Sequence, residues 1–141
     1  MREILFRGKR VRNGEWVCGG IVQGVVHELW QNADRAYILV FPEFLSSVNL
    51  VEVDPATVGQ YTGLTDKNGK KIFEGDIVKG LFLFEMKVQS VVTFRDGAFG
   101  LLWQRGNVTE FSAFTSICNI EYEVIGNVHD NPELREVQEC H

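Results

Sequence analysis

Residues 88–103 read VQSVVTFRDGAFGLLW, and this stretch decides the fold. From residue 88 to residue 95, successive side chains lie alternately on the two faces of the segment, as expected for a β-strand. The dipeptide Asp96-Gly97 comes next and is typical of tight hairpin turns, because both central residues tolerate a positive φ. Residues 98–103 are then the returning strand, so the sequence predicts an antiparallel β-hairpin.

Four further segments extend this prediction along the chain. Residues 15–26 and 36–41 are typical of strands, and the second lacks polar alternation, which predicts burial on both faces. Residues 120–124 alternate between apolar and acidic side chains, which predicts one buried and one solvated face. Asn68-Gly69 marks another turn. The sequence therefore predicts a mostly β protein.

Helical signals are brief. Asp54-Pro55 is typical of an N-cap followed by proline at the first helical position, and Gly59 ends that helix within about one turn. Asn131-Pro132 repeats the pattern near the carboxyl end, so we expect one or two short helical turns. The apolar run LFLF at 81–84 is either a buried strand or a subunit contact.

The composition is that of an ordinary globular protein. Among 141 residues, 45% are hydrophobic and 23% are charged, which excludes intrinsic disorder. We expect one domain over residues 1–141. If this domain divides into two lobes, they are residues 1–52 and 53–134, followed by a tail at residues 135–141. No apolar run reaches the ~20 residues of a membrane span, and the first ten residues are not typical of a secretory signal. We expect a cytoplasmic protein without membrane contact.

The cysteines and histidines show no ligand spacing. Cys18, Cys118 and Cys140 make an odd number without paired spacing, which favours thiols in a reducing cytoplasm. Cys18 and Cys118 have apolar neighbours, so we expect both to be buried. No Cys or His pair has zinc-site spacing, and no Gly-x-Ser-x-Gly motif occurs. We expect no metal, no cofactor and no catalytic residue.

Two glycine-containing segments are candidates for a phosphate-binding or catalytic site. The segment GLTDKNGKK at 63–71 resembles a phosphate-binding loop, but five residues rather than four separate its glycines, and Lys71 stands where a hydroxyl is required. We interpret it as a hairpin turn. Glu74-Gly75-Asp76 opens an apolar strand, where glycine takes a special backbone angle and Asp76 bonds nearby amides. We interpret Asp76 as a turn brace rather than a catalytic carboxylate.

Charge is distributed unevenly around a net value of −5. The first dozen residues are basic, whereas residues 121–139 are mainly acidic. The basic side chains that form a candidate phosphate-contact patch are Arg7, Lys9, Arg10 and Arg12. The alternative is a solvated hairpin, or an arm that docks on the acidic tail of its own or a neighbouring subunit, and the overall acidity favours this alternative.

Three blocks of the sequence resemble one family. They read MREILFRGKRVRNGEWVCGG at 1–20, VDPATVGQYTGLTDKNGKKIFEGDIVKG at 53–80, and YEVIGNVHDNPEL at 122–134. In this order they are similar to the YopX-like proteins of bacteriophages and prophages, over about half of the chain. Residues 81–86 and 105–117 follow no pattern of that family.

The resemblance implies bent, branching antiparallel sheets, an SH3-like barrel portion around Gly75-Asp76, a phage or prophage origin and a tendency to form homo-oligomers. It assigns no catalytic residue. The positions that match the family motif have residue types that build turns, and they are Tyr61, Gly63, Asp66, Gly69, Gly75, Asp76, Gly126 and Asn127.

Three functions remain open at this point. The favoured one is a non-enzymatic phage accessory protein that binds a protein partner or assembles as a homo-oligomer. The first alternative is a nucleic-acid-binding SH3-like barrel that uses the basic patch. The second alternative is a small RNA-cleaving enzyme, which would need a cleft that groups His27 or His129 with Glu74 or Asp76 and an arginine.

Overall fold

The computed structural model describes residues 3–23, 35–40, 49–82, 86–114 and 122–136. The chain divides into two compact units, Met1–Tyr61 and Thr62–His141. The described residues form eleven strands and two very short helices, and the strands belong to two antiparallel sheets. The prediction of a mostly β protein is therefore confirmed. No helix in these ranges has the length and apolar character that crossing a membrane requires.

The first unit is a meander of four strands joined to a fifth. Its elements are β1 Phe6–Lys9, β2 Trp16–Gln23, β3 Ala36–Val40, β4 Asn49–Val53, a 3-10 helix Pro55–Thr57, and β5 Gly59–Thr65, which ends in the second unit. The strand order is β4-β3-β2-β1-β5. The side chain of Asp54 accepts a bond from the amide of Ala56 at 3.0 Å, which confirms the predicted N-cap.

Burial in the first unit follows one face of the sheet. Ala36, Ile38 and Val53 are fully buried, whereas Tyr37 and Leu39 of β3 are only half-buried. The prediction that β3 is buried on both faces was wrong, because only its even-numbered residues face the core. Cys18 is exposed, so its predicted burial was also wrong. Its partner in register is Arg7, on the face opposite the core.

The ends of β1 and β4 approach each other closely. Arg10 and Val53 form an isolated antiparallel bridge, and the amide of Asp54 donates to the carbonyl oxygen of Lys9 at 2.8 Å. A Cβ at Gly8 would lie 2.9 Å from the Cβ of Val53. This approach therefore requires glycine at position 8, since any side chain there would push Val53 out of the core.

The second unit contains an open five-stranded sheet. Its elements are β6 Lys71–Phe73, β7 Asp76–Phe82, β8 Met86–Arg95, β9 Ala98–Arg105, β10 Val108–Ala113, β11 Tyr122–Asn127 and α1 Pro132–Glu136. The sheet has the order β10-β9-β8-β7-β11, and β6 pairs with β5. Because the described strands around Gly75-Asp76 belong to an open sheet, the barrel expected there is not confirmed.

The hairpin predicted from residues 88–103 is confirmed. Asp96 and Gly97 have φ values of 52° and 82°, as a type I′ turn requires, and Arg95 pairs with Ala98. Phe94 lies on the same strand face as the buried Val92, yet it is 51% exposed near the turn. The first two residues of the LFLF run end β7, and the other two lie outside the described residues.

The core of the second unit lies on one face of this sheet. Its buried residues come from β6, β7, β8, β9 and β11, and they are Ile72, Val78, Val92, Leu101, Trp103 and Tyr122. The half-buried Phe114 and Val124 pack against them. The hydroxyl of Tyr122 is buried and has no hydrogen-bond partner among the described residues. Burial consequently raises the pKa of Tyr122 to about 12.

Candidate functional site

The turn between β5 and β6 is organised by the carboxylate of Asp66. Its Oδ1 accepts bonds from the amides of Asn68 at 2.8 Å and Lys70 at 2.9 Å. Gly69 has a φ of 81°, and its amide donates to the carbonyl oxygen of Asp66 at 3.0 Å. The predicted turn is confirmed, and its geometry explains why aspartate and glycine occupy these two positions.

The same turn covers the outer edge of β11. Oδ2 of Asp66 accepts a bond from the amide of Val124 at 3.0 Å, although the two residues are 58 positions apart. The amide of Lys67 donates to the carbonyl oxygen of Tyr122 at 2.9 Å. An edge strand normally leaves such groups unpaired, so this turn satisfies two outward backbone groups of β11.

The environment of Asp66 keeps its carboxyl group ionised. Burial alone would raise the pKa of this group, because it disfavours the charged form. The amides of Val124, Lys70 and Asn68, together with the charge of Lys70, act in the opposite direction and prevail. The pKa of Asp66 is therefore lower than its usual value.

Asp76 braces the turn that opens β7. It is 1% exposed, and its Oδ2 accepts a bond from the amide of Phe73 at 2.8 Å. Gly75 has a φ of 91°, and its amide donates to the carbonyl oxygen of Val92 at 2.8 Å. The carboxylate of Asp76 thus braces this turn, and the left-handed backbone at Gly75 accounts for glycine there.

A second turn follows β11 and is organised by Asn127. Its Oδ1 accepts bonds from the amides of His129 at 3.0 Å and Asp130 at 2.8 Å. Its Nδ2 donates to Oδ2 of Asp130 at 3.0 Å. A Cβ at Gly126 would lie 2.5 Å from Oδ1 of Asn131, so only glycine fits there.

The turns at Gly75 and Asn127 lie side by side. Asp76 and Asn127 are partners in register, and the amide of Val128 donates to the carbonyl oxygen of Gly75 at 2.9 Å. The structure thus brings the segment that contains His129 close to Gly75, whereas the RNA-cleavage hypothesis also requires a cleft and an arginine beside these residues. Its other candidate, His27, lies outside the described residues. Within the described ranges, no group of three His, Cys, Asp or Glu side chains could hold a metal ion.

Two other positions of the family motif lie on β5. Tyr61 is buried, and its amide donates to the carbonyl oxygen of Leu5 at 2.7 Å. Gly63 has a φ of 89°, a backbone conformation that other residues adopt only with strain. The hydroxyl of Thr62 donates to the carbonyl oxygen of Ile72 at 2.8 Å, which ties β5 to β6. These residues shape a strand and a turn.

The basic side chains of β1 surround Trp16. The guanidinium carbon of Arg7 lies 4.6 Å from the centroid of the Trp16 ring, and Nζ of Lys9 lies 5.6 Å from it. Both distances are within the range of a cation–π interaction. Arg7 is 9% exposed, Lys9 and Arg10 are half-buried, and Arg12 is exposed. Three of the four residues of the candidate phosphate-contact patch are thus at least partly accessible.

Sequence reasoning missed the contact between Asp66 and Val124. Asp66 was recognised as part of a turn, but nothing near residue 66 indicates a partner 58 positions away. Gly100 was missed as well. A Cβ there would lie 2.6 Å from Cζ of Phe111, so the aromatic ring rests directly on the glycine backbone. Only the pairing of β9 with β10 brings these two residues together.

Comparisons with known proteins agree with this fold. A search of the curated proteins finds no match. Among solved structures, the crystal structure of protein EF1440 from Enterococcus faecalis is similar, with a TM-score of 0.53 and 21% sequence identity. The match covers 95% of this chain and 99% of that one. The family model described as "YopX protein" matches residues 6–136. The three sequence blocks, the fold and this match together show that the chain belongs to the YopX family.

Proposed function

We propose that this protein is a non-enzymatic binding or assembly module that acts as a homo-oligomer. One observation carries the proposal: the polar side chains at the family-motif positions hold the protein's own backbone. Asp66, Asp76 and Asn127 each accept bonds from main-chain amides. A phage or prophage origin and residence in the host cytoplasm accompany the proposal as expectations from the resemblance.

The chemistry of these groups supports a role in folding rather than in catalysis. A general acid or base must exchange a proton with a substrate, and its pKa should lie near the working pH. Asp66 has a lowered pKa, and Asp76 is almost fully buried in a turn. Both carboxylates are therefore poorly suited to proton transfer.

Apolar side chains on the surface support the assembly part of the proposal. Single exposed apolar residues are common, but paired aromatic rings are less so. Phe94 is half exposed, and its ring packs edge-on against Phe99 with 5.0 Å between centroids. Among the described residues, the other large hydrophobic side chains that are exposed are Ile4, Val11, Leu50, Leu64 and Val108.

Sedimentation velocity and light scattering across micromolar concentrations test the assembly. We expect a discrete species heavier than the 16.0 kDa chain. A monomer throughout this range would remove the homo-oligomer from the proposal.

Incubation with RNA tests whether the protein is non-enzymatic. Cleavage that is lost in His129→Ala would contradict a non-enzymatic role and would support the hypothesis of a small RNA-cleaving enzyme.

Nucleic-acid binding is the second candidate, and the arrangement around Trp16 favours it. Lys9 ends β1 and lies 5.6 Å from the centroid of the half-buried Trp16 ring, and Arg10 and Arg12 follow Lys9 in the chain. Cations beside aromatic rings are a common feature of single-strand binding surfaces. The net charge of −5 opposes non-specific binding, so any contact must be local to this segment.

Fluorescence anisotropy with single-stranded RNA and DNA tests the second candidate. Replacement of Lys9, Arg10 and Arg12 by alanine should weaken binding, and each lost phosphate contact should reduce the salt slope for a single strand by about 0.7. A matched control replaces the same number of charges in the Asp66 turn, at Lys67, Lys70 and Lys71. Equal loss in both triple variants, or no binding at low salt, would contradict a specific basic surface.

The resemblance implies an SH3-like portion around Gly75-Asp76, and we propose such a portion for the first unit instead. Support comes from the strand order, because β1 pairs with both β2 and β5 and a 3-10 helix separates β4 from β5. The bridge between Arg10 and Val53 brings the ends of β1 and β4 together. An experimental structure in which β1 and β4 stay apart would contradict this proposal.

A further inference from the structure

Asparagine followed by glycine occurs twice in the chain, at Asn13-Gly14 and at Asn68-Gly69. In such a pair the backbone nitrogen of glycine attacks Cγ of the asparagine, because glycine has no side chain that hinders the approach. Ammonia leaves, a five-membered succinimide forms, and water then opens this ring at one of its two carbonyl groups. The product is either aspartate or isoaspartate, in which the main chain runs through Cβ and Cγ. Water is the only other reagent.

The nitrogen that would attack Asn68 is held in the turn that Asp66 organises. The amide of Gly69 donates to the carbonyl oxygen of Asp66 at 3.0 Å, and this hydrogen must leave when the nitrogen forms a new bond. The amides on either side, of Asn68 and Lys70, both donate to Oδ1 of Asp66, at 2.8 and 2.9 Å. The peptide between Asn68 and Gly69 is therefore fixed at both ends, so its rotation toward Cγ requires the turn to open.

The side chain of Asn68 is itself accessible. Asn68 and Gly69 are exposed, and the carboxamide of Asn68 makes no hydrogen bond within the ranges that the structure describes. No atom lies within 4 Å of a Cβ position at Gly69, so the approach of water to a succinimide is unobstructed there. The bonds of the turn are thus the barrier between a reactive dipeptide and its product.

The same turn holds the edge of β11, so chemistry at Asn68 affects that strand. Oδ2 of Asp66 accepts a bond from the amide of Val124 at 3.0 Å, and the amide of Lys67 donates to the carbonyl oxygen of Tyr122 at 2.9 Å. Both contacts depend on the closed conformation of residues 66–70. A turn that cannot close leaves these two groups of β11 without their partners.

Isoaspartate at position 68 is incompatible with the closed turn. The turn is closed at its ends by a bond from the amide of Asp66 to the carbonyl oxygen of Lys70 at 2.8 Å, and isoaspartate adds one carbon to the main chain between them. The product also places a second carboxylate two positions from the buried carboxylate of Asp66, and like charges at short range repel each other. Both changes favour the open turn.

We propose that Asn68 is a deamidation site that the closed turn suppresses, and that its conversion to isoaspartate uncovers the edge of β11. The step is irreversible because the ammonia is lost, so each molecule that reacts keeps an open edge. The opening of one turn sets the rate of the modification. This modification is independent of the binding or assembly role proposed above.

Peptide mapping of the protein after incubation at neutral pH tests the suppression. A protease that cleaves before aspartate releases residues 66–75 as one peptide, and it cleaves again at position 68 where aspartate, but not isoaspartate, has formed. We expect Asn68 to react about 100-fold more slowly in the folded protein than in guanidinium chloride, because two bonds to a charged carboxylate must break. Equal rates in the two states would overturn the proposal.

Asp66→Ala removes the acceptor and leaves Asn68-Gly69 unchanged. We expect the rate at Asn68 to rise by about 30-fold in this variant, whose folded state is verified by near-ultraviolet circular dichroism. Asn13 is the internal control, because its turn lies in the first unit and is held by a bond from the amide of Gly14 to the carbonyl oxygen of Arg10 at 2.8 Å. The rate at Asn13 should stay the same. An unchanged rate at Asn68 would overturn the role of the turn.

Amide hydrogen exchange in the unsubstituted protein gives a test that needs no variant. Exchange at Gly69 and deamidation at Asn68 pass through the same opening, so the two reactions should be slowed by the same factor. A disagreement of more than about tenfold between these factors would contradict a reaction through the open turn.

Asn68→Ser tests the consequence for β11, because serine is suited to turns but cannot form the succinimide. After long incubation, the amide of Val124 should lose its exchange protection in the unsubstituted protein in proportion to the isoaspartate formed. The serine variant should keep this protection. Equal loss in both proteins, or a protected Val124 in molecules that contain isoaspartate, would overturn the effect on the edge.

Discussion

The two end strands of the five-stranded sheet are treated differently by the rest of the chain. At β11, the turn of residues 65–70 supplies an acceptor to the amide of Val124 and a donor to the carbonyl oxygen of Tyr122. At β10, Arg105 pairs with Val108 across a two-residue turn, so the amides of Thr109 and Phe111 point away from β9. Among the described residues, no backbone bond outside the strand pairs reaches them. Edge protection in this protein is therefore a property of each strand and not of the sheet.

The largest expected effect comes from the removal of the group that covers β11. Asp66→Ala deletes three bonds to a buried, ionised carboxylate, so we expect the free energy of unfolding of the second unit to fall by about 4 kcal/mol. Denaturant unfolding followed by near-ultraviolet circular dichroism measures this change.

Asp66→Asn serves as the control for that experiment. Asparagine keeps one oxygen for the amides of Asn68 and Lys70 but presents an NH₂ group to the amide of Val124. We expect the free energy of unfolding to fall by about half as much as in Asp66→Ala. Equal losses in both variants would mean that the contact with β11 supplies most of the stabilisation.

A pair of proline variants compares the two edges directly. Val124→Pro removes the amide that bonds to Asp66, whereas Thr109→Pro removes an outward amide of β10. We expect the first to cost about 3 kcal/mol and the second less than about 1 kcal/mol at concentrations where the protein is monomeric. Val124→Ala corrects for the loss of side-chain packing. Similar costs at the two positions would contradict the difference between the edges.

Acid should weaken the contact between the carboxylate of Asp66 and the edge of β11. Because the pKa of Asp66 is lowered in the folded protein, the unfolded chain binds this proton more readily. The stabilisation is complete above about pH 3.9, the usual value for aspartate, and is lost as the pH falls through the folded pKa. Urea unfolding over this pH range should show a shallower decline for Asp66→Asn than for the unsubstituted protein.

The smallest expected effect concerns the side chain of Tyr122, whose backbone belongs to the covered edge. Its hydroxyl is buried without a partner in the part of the chain that the structure describes, so Tyr122→Phe should raise the free energy of unfolding by about 1 kcal/mol at neutral pH. The pKa of this tyrosine is raised to about 12. The unsubstituted protein should therefore lose stability above about pH 10, where the unfolded tyrosine ionises, until the pH passes the folded pKa. An identical alkaline decline in the phenylalanine variant would contradict this assignment.

Local sequence patterns predicted the local structures of this fold. Asp96-Gly97, Asn68-Gly69 and Asp54-Pro55 lie at the predicted turns and cap, because these residues act through backbone angles and bonds within four positions. The brace at Asp76 is also local, since its partner is Phe73. Turns whose bonds span four positions or fewer can be predicted from one sequence.

Contacts between distant segments were not predicted. Cys18 was expected to be buried from its neighbours in sequence, but its exposure depends on which face of β2 meets the core. The partner of Asp66 and the ring above Gly100 depend on strand order, which alternation of side chains does not specify. The strand order also decides which of two edges a turn covers.

The contact between Asp66 and Val124 implies an order of folding. Strands β7 to β10 follow one another along the chain and pair with their neighbours, so they form contacts at low loop-closure cost. β11 joins β7 across the three intervening strands, and its amide reaches a carboxylate 58 residues earlier. Until residues 122–127 have left the ribosome, β7 is the end strand and the carboxylate of Asp66 lacks its distant donor. The step that completes this sheet during synthesis is thus also the step that covers its β7 side against aggregation.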